Sequence, residues 1–480
     1  MTPSGASLRS FRFGAQGLPL ALVATLALSS AAVAETLSYG VDAGIAETDN
    51  VNLAPTNPVS QTMAVVDLDF DVKQLTRLFD LDAKGNFSYL DYLQNAYGGQ
   101  LVGRFDGTGK FALIPERLTW VVQDDFGQAA LDPFTPQTPN NLENVNYLST
   151  GPDVALRFGG TTFLNLSARV ARAQYQISPF NSNRVLGDAA WGFQLSPAST
   201  ISLNADTERV LFENTVVNTD FDRTNAFVRY DIQGARTSFS VDLGGTQIAQ
   251  GQGQGQRGTS TSGALARVQL TRKVSTAATL TLTGGHDLTD GSTSFSTLPA
   301  GAIGIVGTAP AALTSATYTS NYASAGWKYV RNRTTIAVTG RWEKDVYREA
   351  PVFDMTQEGA EFNVERKVSP ALTAQLLGRL YKTSYPHAVL VAGTGPVLPN
   401  QFDAVAGNVI GSSDYSDALV GAALSWRHGR AMEIRLRVEH TSRVTTGIDA
   451  GYHENRVYLT IGYRPRPVAP ENDPGTYAPG

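Results

Sequence analysis

The chain has 480 residues, 42% hydrophobic and only 17% charged, with 38 Lys and Arg against 43 Asp and Glu for a formal net charge of −5. That balance argues against nucleic acid as a partner. The absence of cysteine removes thiolate catalysis, Cys-based metal sites and disulfide staples together.

The first 34 residues read as a secretory signal peptide: a basic start at Arg9 and Arg12, an apolar core from Leu18 to Leu28, and the small-residue site Ala32-Val33-Ala34. The arginines of Arg9-Ser10-Phe11-Arg12 are not adjacent, and no Cys follows the cleavage site, so neither a twin-arginine route nor a lipoprotein is expected. No later run approaches the eighteen or so apolar residues of a transmembrane helix.

From Glu35 onward the pattern changes to short segments with a period of two. Early candidates lie near 36–44, 63–73, 81–91, 100–112 and 117–124. From about 160 to 463 the rhythm is clear, as in Ala189, Trp191, Phe193 and Leu195, in Phe239, Val241 and Leu243, and in Ala278, Leu280 and Leu282. In the last hairpin Ile434, Leu436 and Val438 alternate with Glu433, Arg435, Arg437 and Glu439, and Val457, Leu459, Ile461 and Tyr463 alternate with polar residues. A period of two puts these aliphatics on one face and the charges on the other. No segment supplies the second apolar layer of a sandwich, so lipid is the better cover for the apolar faces.

Connections alternate in length. Short turns are read at 195–199, 233–236, 272–275, 331–333, 366–370 and 427–430, and long loops at about 126–145, 287–317 and 385–414. Outer-membrane barrels carry short periplasmic turns and longer extracellular loops. The expected fold is therefore all-β, a transmembrane antiparallel up-and-down β-barrel of about 20 strands (18–22) over residues 35–463, in the outer membrane of a Gram-negative bacterium. Residues 464–480, with five prolines, are expected to form a disordered periplasmic tail. Trp191, Trp327, Trp342, Trp426, Tyr230, Tyr329 and Tyr463 sit on the apolar parity near strand ends, as an interfacial girdle requires.

A barrel of this size encloses a wide lumen. Parity assigns Arg169, Arg229, Arg267, Arg341, Glu343, Arg379, Glu433, Arg435, Arg437, Glu439 and Arg456 to its lining, with Asp206 and Asp242 among the other acids. Because acids and arginines interleave, strong anion selectivity is not expected. No plug segment precedes the first strand, and the 287–317 loop is the candidate constriction.

Several motifs carry no chemistry on this reading. The glycines of 251–256 lie in a Gly/Gln-rich loop with no helix after them. Asp124 and Asp125 read as a solvated strand end, and His286, His387, His428 and His453 have no metal spacing. His440 and Ser442 stand two apart on the outward parity and resemble the His-x-Ser element of outer-membrane lipid A deacylases. The flanking residues differ, those barrels are smaller, and the nearest acid, Glu454, falls on the inward parity. No catalytic residue, cofactor or metal site is expected.

Tyr39-Gly40-Val41-Asp42-Ala43-Gly44 followed by Thr48-Asp49-Asn50-Val51-Asn52-Leu53 resembles the start of putative outer-membrane β-barrel proteins found with exopolysaccharide operons and the exosortase/PEP-CTERM system. The resemblance implies a porin-like channel linked to exopolysaccharide export or surface-matrix assembly. An occluded barrel whose loops anchor matrix is the structural alternative, and a lipid hydrolase using His440 and Ser442 the remote one. Expected partners are outer-membrane lipid and lipopolysaccharide, the barrel-assembly machinery, and polysaccharide with its export components. In the motif, Asp49 and Asn50 are expected to form an Asx turn closing the first strand.

Overall fold

The computed structural model describes residues 36–251, 258–296, 315–387, 413–445 and 451–465. Twenty strands run in chain order: β1 (Thr36–Thr48), β2 (Gln61–Leu75), β3 (Phe79–Tyr92), β4 (Gln100–Ile114), β5 (Leu118–Ala130), β6 (Leu142–Phe158), β7 (Thr162–Tyr175), β8 (Ser182–Ser196), β9 (Ser199–Phe212) and β10 (Phe221–Gln233). The second half comprises β11 (Thr237–Gln250), β12 (Ser260–Lys273), β13 (Ala278–Thr289), β14 (Tyr318–Arg331), β15 (Thr334–Tyr347), β16 (Met355–Lys367), β17 (Leu372–Tyr385), β18 (Ser413–His428), β19 (Met432–Thr445) and β20 (Tyr452–Tyr463). A one-turn helix, α1 (Gly291–Ser296), follows β13.

Each strand pairs antiparallel with its sequence neighbours, and β1 pairs with β20, closing the sheet. Closure leaves the sheet without a free edge strand, so that backbone groups pair between strands all the way round, which is the condition for crossing a bilayer with strands. In β1, Val41 and Ile45 are 43% and 51% exposed, whereas Asp42, Ala46 and Thr48 between and beyond them are buried. The exposed apolar face points away from the lumen, and lipid covers it. Trp191, Trp327, Trp342, Trp426 and Tyr463 are exposed on that same outer face. Among the described residues no helix is long and apolar enough to cross a membrane.

Short turns join strands at one end, the end at which β1 begins and β20 finishes. In the two-residue turn between β14 and β15, Asn332 takes φ 53°, and Gly429 after β18 takes φ 65°. Both are residue types that tolerate the left-handed region such turns need.

Two boundaries differ from the sequence reading. The loop placed at 126–145 is confined to 131–141, because β5 continues to Ala130 and β6 begins at Leu142. Gln128, Asn144 and Asn146 interrupt the apolar alternation there, yet the strands persist. Gln128 donates to Asn144 Oδ1 at 2.8 Å and Asn146 to Asp124 Oδ1 at 2.9 Å, so side-chain pairs replace lipid contact on the outer face. Asp124 and, on the opposite face, Asp125 are both buried at mid-strand rather than at a solvated rim. Residues 1–34, 252–257, most of the 385–414 loop and the tail from 466 lie outside the described residues.

Candidate translocation pathway

Two extracellular-side loops fold into the lumen. The 131–141 loop is organised by Asn141, whose side chain donates to the Asp132 carbonyl at 2.8 Å and to Thr135 Oγ1 at 3.0 Å, while its Oδ1 accepts from the Asp132 N–H at 2.8 Å. This frame projects Phe134 into a cluster with Tyr318, Tyr347, Phe353, Met355 and Tyr385 from β14 to β17 and their connection. Phe134 starts between β5 and β6, so the loop bridges the lumen.

The second intruder is α1. Asp290 caps it, accepting from Ser292 N at 3.2 Å and Thr293 Oγ1 at 2.5 Å. The same carboxylate accepts from Arg184 Nη2 on β8 at 2.7 Å, and Arg184 also reaches Glu208 on β9 at 2.9 Å. Glu208 in turn accepts from Arg223 on β10 at 2.5 Å. Tyr175 and Ser292 hydroxyls meet at 2.5 Å, and Tyr318 donates to Ser294 Oγ at 2.6 Å. Phe295 is 1% exposed, inserted among Ala129, Val145, Tyr147, Ala171 and Ala173 on the inner wall. Burial raises the Asp290 pKa, but the Arg184 and Arg223 guanidiniums outweigh it and hold the carboxyl below its usual range, at about 2. The 287–317 segment thus enters the lumen through its first residues, at the place where the sequence suggested a constriction.

The space these loops leave is a cavity of about 270 Å³ against β17 to β20 and β1 to β4. Of the residues assigned to the lining by parity, Arg379, Arg435, Arg437, Glu439 and Arg456 meet here. Arg435 pairs with Glu433 at 3.0 Å, Arg437 with Glu439 at 3.1 Å, and Arg456 with Glu454 at 2.6 Å. Arg379 is buried on the inner face of β17. The others face inward in separate sectors: Arg169 pairs with Asp153 at 2.5 Å, Arg229 with Asp242 at 2.6 Å, Arg267 with Asp287 at 2.7 Å, and Arg341 with Glu343.

Sequence reading missed Arg443 and Asp417, paired at 2.7 Å in the same cavity, although Arg443 continues the parity of Arg435 and Arg437 up β19. The Arg443 guanidinium carbon lies 3.9 Å from the Tyr415 ring centre, and that of Arg437 4.3 Å from Tyr458. Arg464, placed by sequence in the tail, instead folds back into the lumen to pair with Asp42 and, at 2.9 Å, with Asp69. Most of the arginines named here are paired with a carboxylate within hydrogen-bonding reach, which fixes their side chains in the lining. Among the described residues no group of three His, Asp or Glu is placed to hold a metal ion.

A closed barrel of even strand number, apolar outside and charged within, is an outer-membrane protein. The chain resides in the outer membrane.

No family model matches the chain, and no curated protein matches it. Among solved structures, the FrpB iron transporter from Neisseria meningitidis (F3-3 variant) is 9% identical over 89% of this chain and 81% of its own, with a TM-score of 0.43. The siderophore receptor PiuA from Acinetobacter baumannii is 7% identical over the same shares, at 0.40. The copper transporter OprC is 9% identical over 89% and 80%, at 0.41.

Proposed function

We propose that the chain is a passive channel carrying small polar solutes across the outer membrane, with Arg379, Arg435, Arg437, Glu439 and Arg456 lining its narrow part. The supporting observation is a 20-strand lumen narrowed by the Phe134 loop and α1, with a charge-lined cavity beside them. Paired charges hydrate a passing solute without binding it tightly, which favours permeation over capture. Planar-bilayer recording of the refolded protein tests this reading. Steady single-channel current with weak ion preference is expected, and a silent barrel would favour the occluded, matrix-anchoring alternative. The link to polysaccharide export rests on the Thr48–Leu53 motif. It predicts that deleting the gene reduces surface polymer, with normal polymer counting against it.

A further inference from the structure

Arginines end alternate strands on the lipid-facing side at the short-turn end: Arg272 on β12, Arg331 on β14 and Arg366 on β16, all exposed. They share the parity of the outward Val268, Trp327 and Phe362 on the same strands. Lys273, Arg333 and Lys367 stand beside them. The lumen arginines Arg435, Arg437 and Arg456 each hold a carboxylate. On the outer face, among the described residues, Arg331 makes no ion pair, and Arg366 makes one side-chain bond, from Nη1 to Thr334 Oγ1 at 3.0 Å. Glu365, the acid next to Arg366, takes the lumen parity.

Thr334 stands between the two arginines in register, opposite Arg331 on one side and Arg366 on the other. Two strand spacings put the arginine Cα atoms about 10 Å apart, a span that two guanidiniums can close around one anion. Thr334 Oγ1 accepts from Arg366, so its own O–H is left to donate into the same space. Tyr329, stacked on Trp327 with ring centroids 5.7 Å apart, is the next outward residue before Arg331. Such rings sit at headgroup level, which sets the arginines at the depth of lipid phosphates. From Arg366 an apolar groove of about 410 Å³ runs along the outer face of β16 to β19. It opens because Ala374 and Ala422 alternate in register with the longer Leu424 and Leu376. A methylene chain fills a trough of this kind.

We propose that this is the binding site of an anionic phospholipid of the periplasmic leaflet, its phosphate held between Arg331 and Arg366 and one acyl chain laid in the groove. The charge at the site selects the headgroup. Two guanidiniums and a hydroxyl suit a phosphodiester, and among the described residues no carboxylate lies within ion-pair reach of either arginine to take the ammonium of an ethanolamine head. A glycerol-headed lipid such as phosphatidylglycerol brings the phosphate without that ammonium.

The site is outside the lumen, so its test is separate from that of the channel. The refolded full-length barrel is mixed with phosphatidylglycerol or with phosphatidylethanolamine, and bound lipid is counted by native mass spectrometry. Tighter binding of phosphatidylglycerol is expected, and Arg331→Gln with Arg366→Gln should lower its affinity about thirtyfold, roughly fivefold for each cation removed. Ala422→Phe, which fills the groove and keeps both arginines, should lower it as well, whereas Arg272→Gln on β12 should not. Equal affinity for the two lipids would overturn the assignment, as would equal binding by wild type and the double variant in samples that both show heat-modifiable migration. An equal loss in Arg272→Gln would also overturn it, by reducing the site to a diffuse basic rim.

Discussion

Phe134 and Phe353 stack across the barrel lumen, with ring centroids 5.9 Å apart and planes within 6°. One ring belongs to the loop after β5 and the other to the connection after β15, so the contact ties opposite walls together. Phe134 also meets Tyr385 edge-on at 4.9 Å. Two aromatic pairs contribute about 1–3 kcal/mol beyond area burial. Phe134→Ala should free the loop and raise single-channel conductance while leaving barrel folding intact. Unchanged conductance would mean that this loop does not limit the path.

Arg184 is fully buried and holds both Glu208 and Asp290. Replacing it with Ala leaves the buried Asp290 and Glu208 to share Arg223 alone, and removing one partner of a buried pair costs about 3–5 kcal/mol. The predicted result is release of α1, seen as protease cleavage between residues 290 and 317 and as larger conductance. A protease-resistant Arg184→Ala barrel would show that the tyrosine–serine contacts suffice.

Acid should act on the same latch with a definite sign. The Asp290 pKa is lowered in the folded state, so its stabilisation is complete above the ordinary Asp value of about 3.9. It is lost as the pH falls from there towards about 2. Conductance should therefore be flat from neutral pH down to about 4 and rise only below it. A rise centred near neutrality would assign the gating to another group.

At the periplasmic end, Arg464 neutralises Asp42, which is 2% exposed. Arg464→Ala strands that carboxylate at the β1–β20 junction, and a loss of about 3–5 kcal/mol is expected. The readout is a lower temperature for loss of the fast-migrating folded form on gels. No change in that temperature would mean the C-terminal arginine is ornamental to closure.

Gly44 supplies a sharper steric test. A Cβ there would lie 2.0 Å from the Leu459 carbonyl oxygen across the seam, whereas one at Gly109 would meet only ordinary contacts at 3.7 Å. Gly44→Val should abolish the heat-modifiable species and Gly109→Ala should retain it. Equal yields of folded barrel would show that the seam can shift to accept a side chain.

Much of this architecture was legible because strand alternation is local. The facing of Arg435, Arg437 and Glu439 follows from the period of two, and the strand count from repeated turn chemistry at positions such as Asn332 and Gly429. What was not legible depended on contacts between distant segments. Nothing near Asp290 in sequence announces Arg184, and Phe134 gives no local sign that it crosses to Phe353. Asp124 looked like a rim residue because the outward polar side chains that accompany it imitate a strand end. Sequence predicts that Asp49 and Asn50 form an Asx turn closing the first strand. The loop is indeed closed by a side chain, since Asn50 bonds both the N–H and the carbonyl of Ala54, but Asp49 reaches β20 instead.

The β1–β20 junction matches eight residue pairs, against thirteen between β1 and β2, and residues 406 positions apart meet across it. Such a contact carries the largest loop-closure cost in the chain and forms after its neighbours. Thr48, Asp49 and Asn50 at one end and Arg464 at the other therefore act as buttons on a garment already sewn. A chain lacking either end would keep its hairpins, yet it would have no inside.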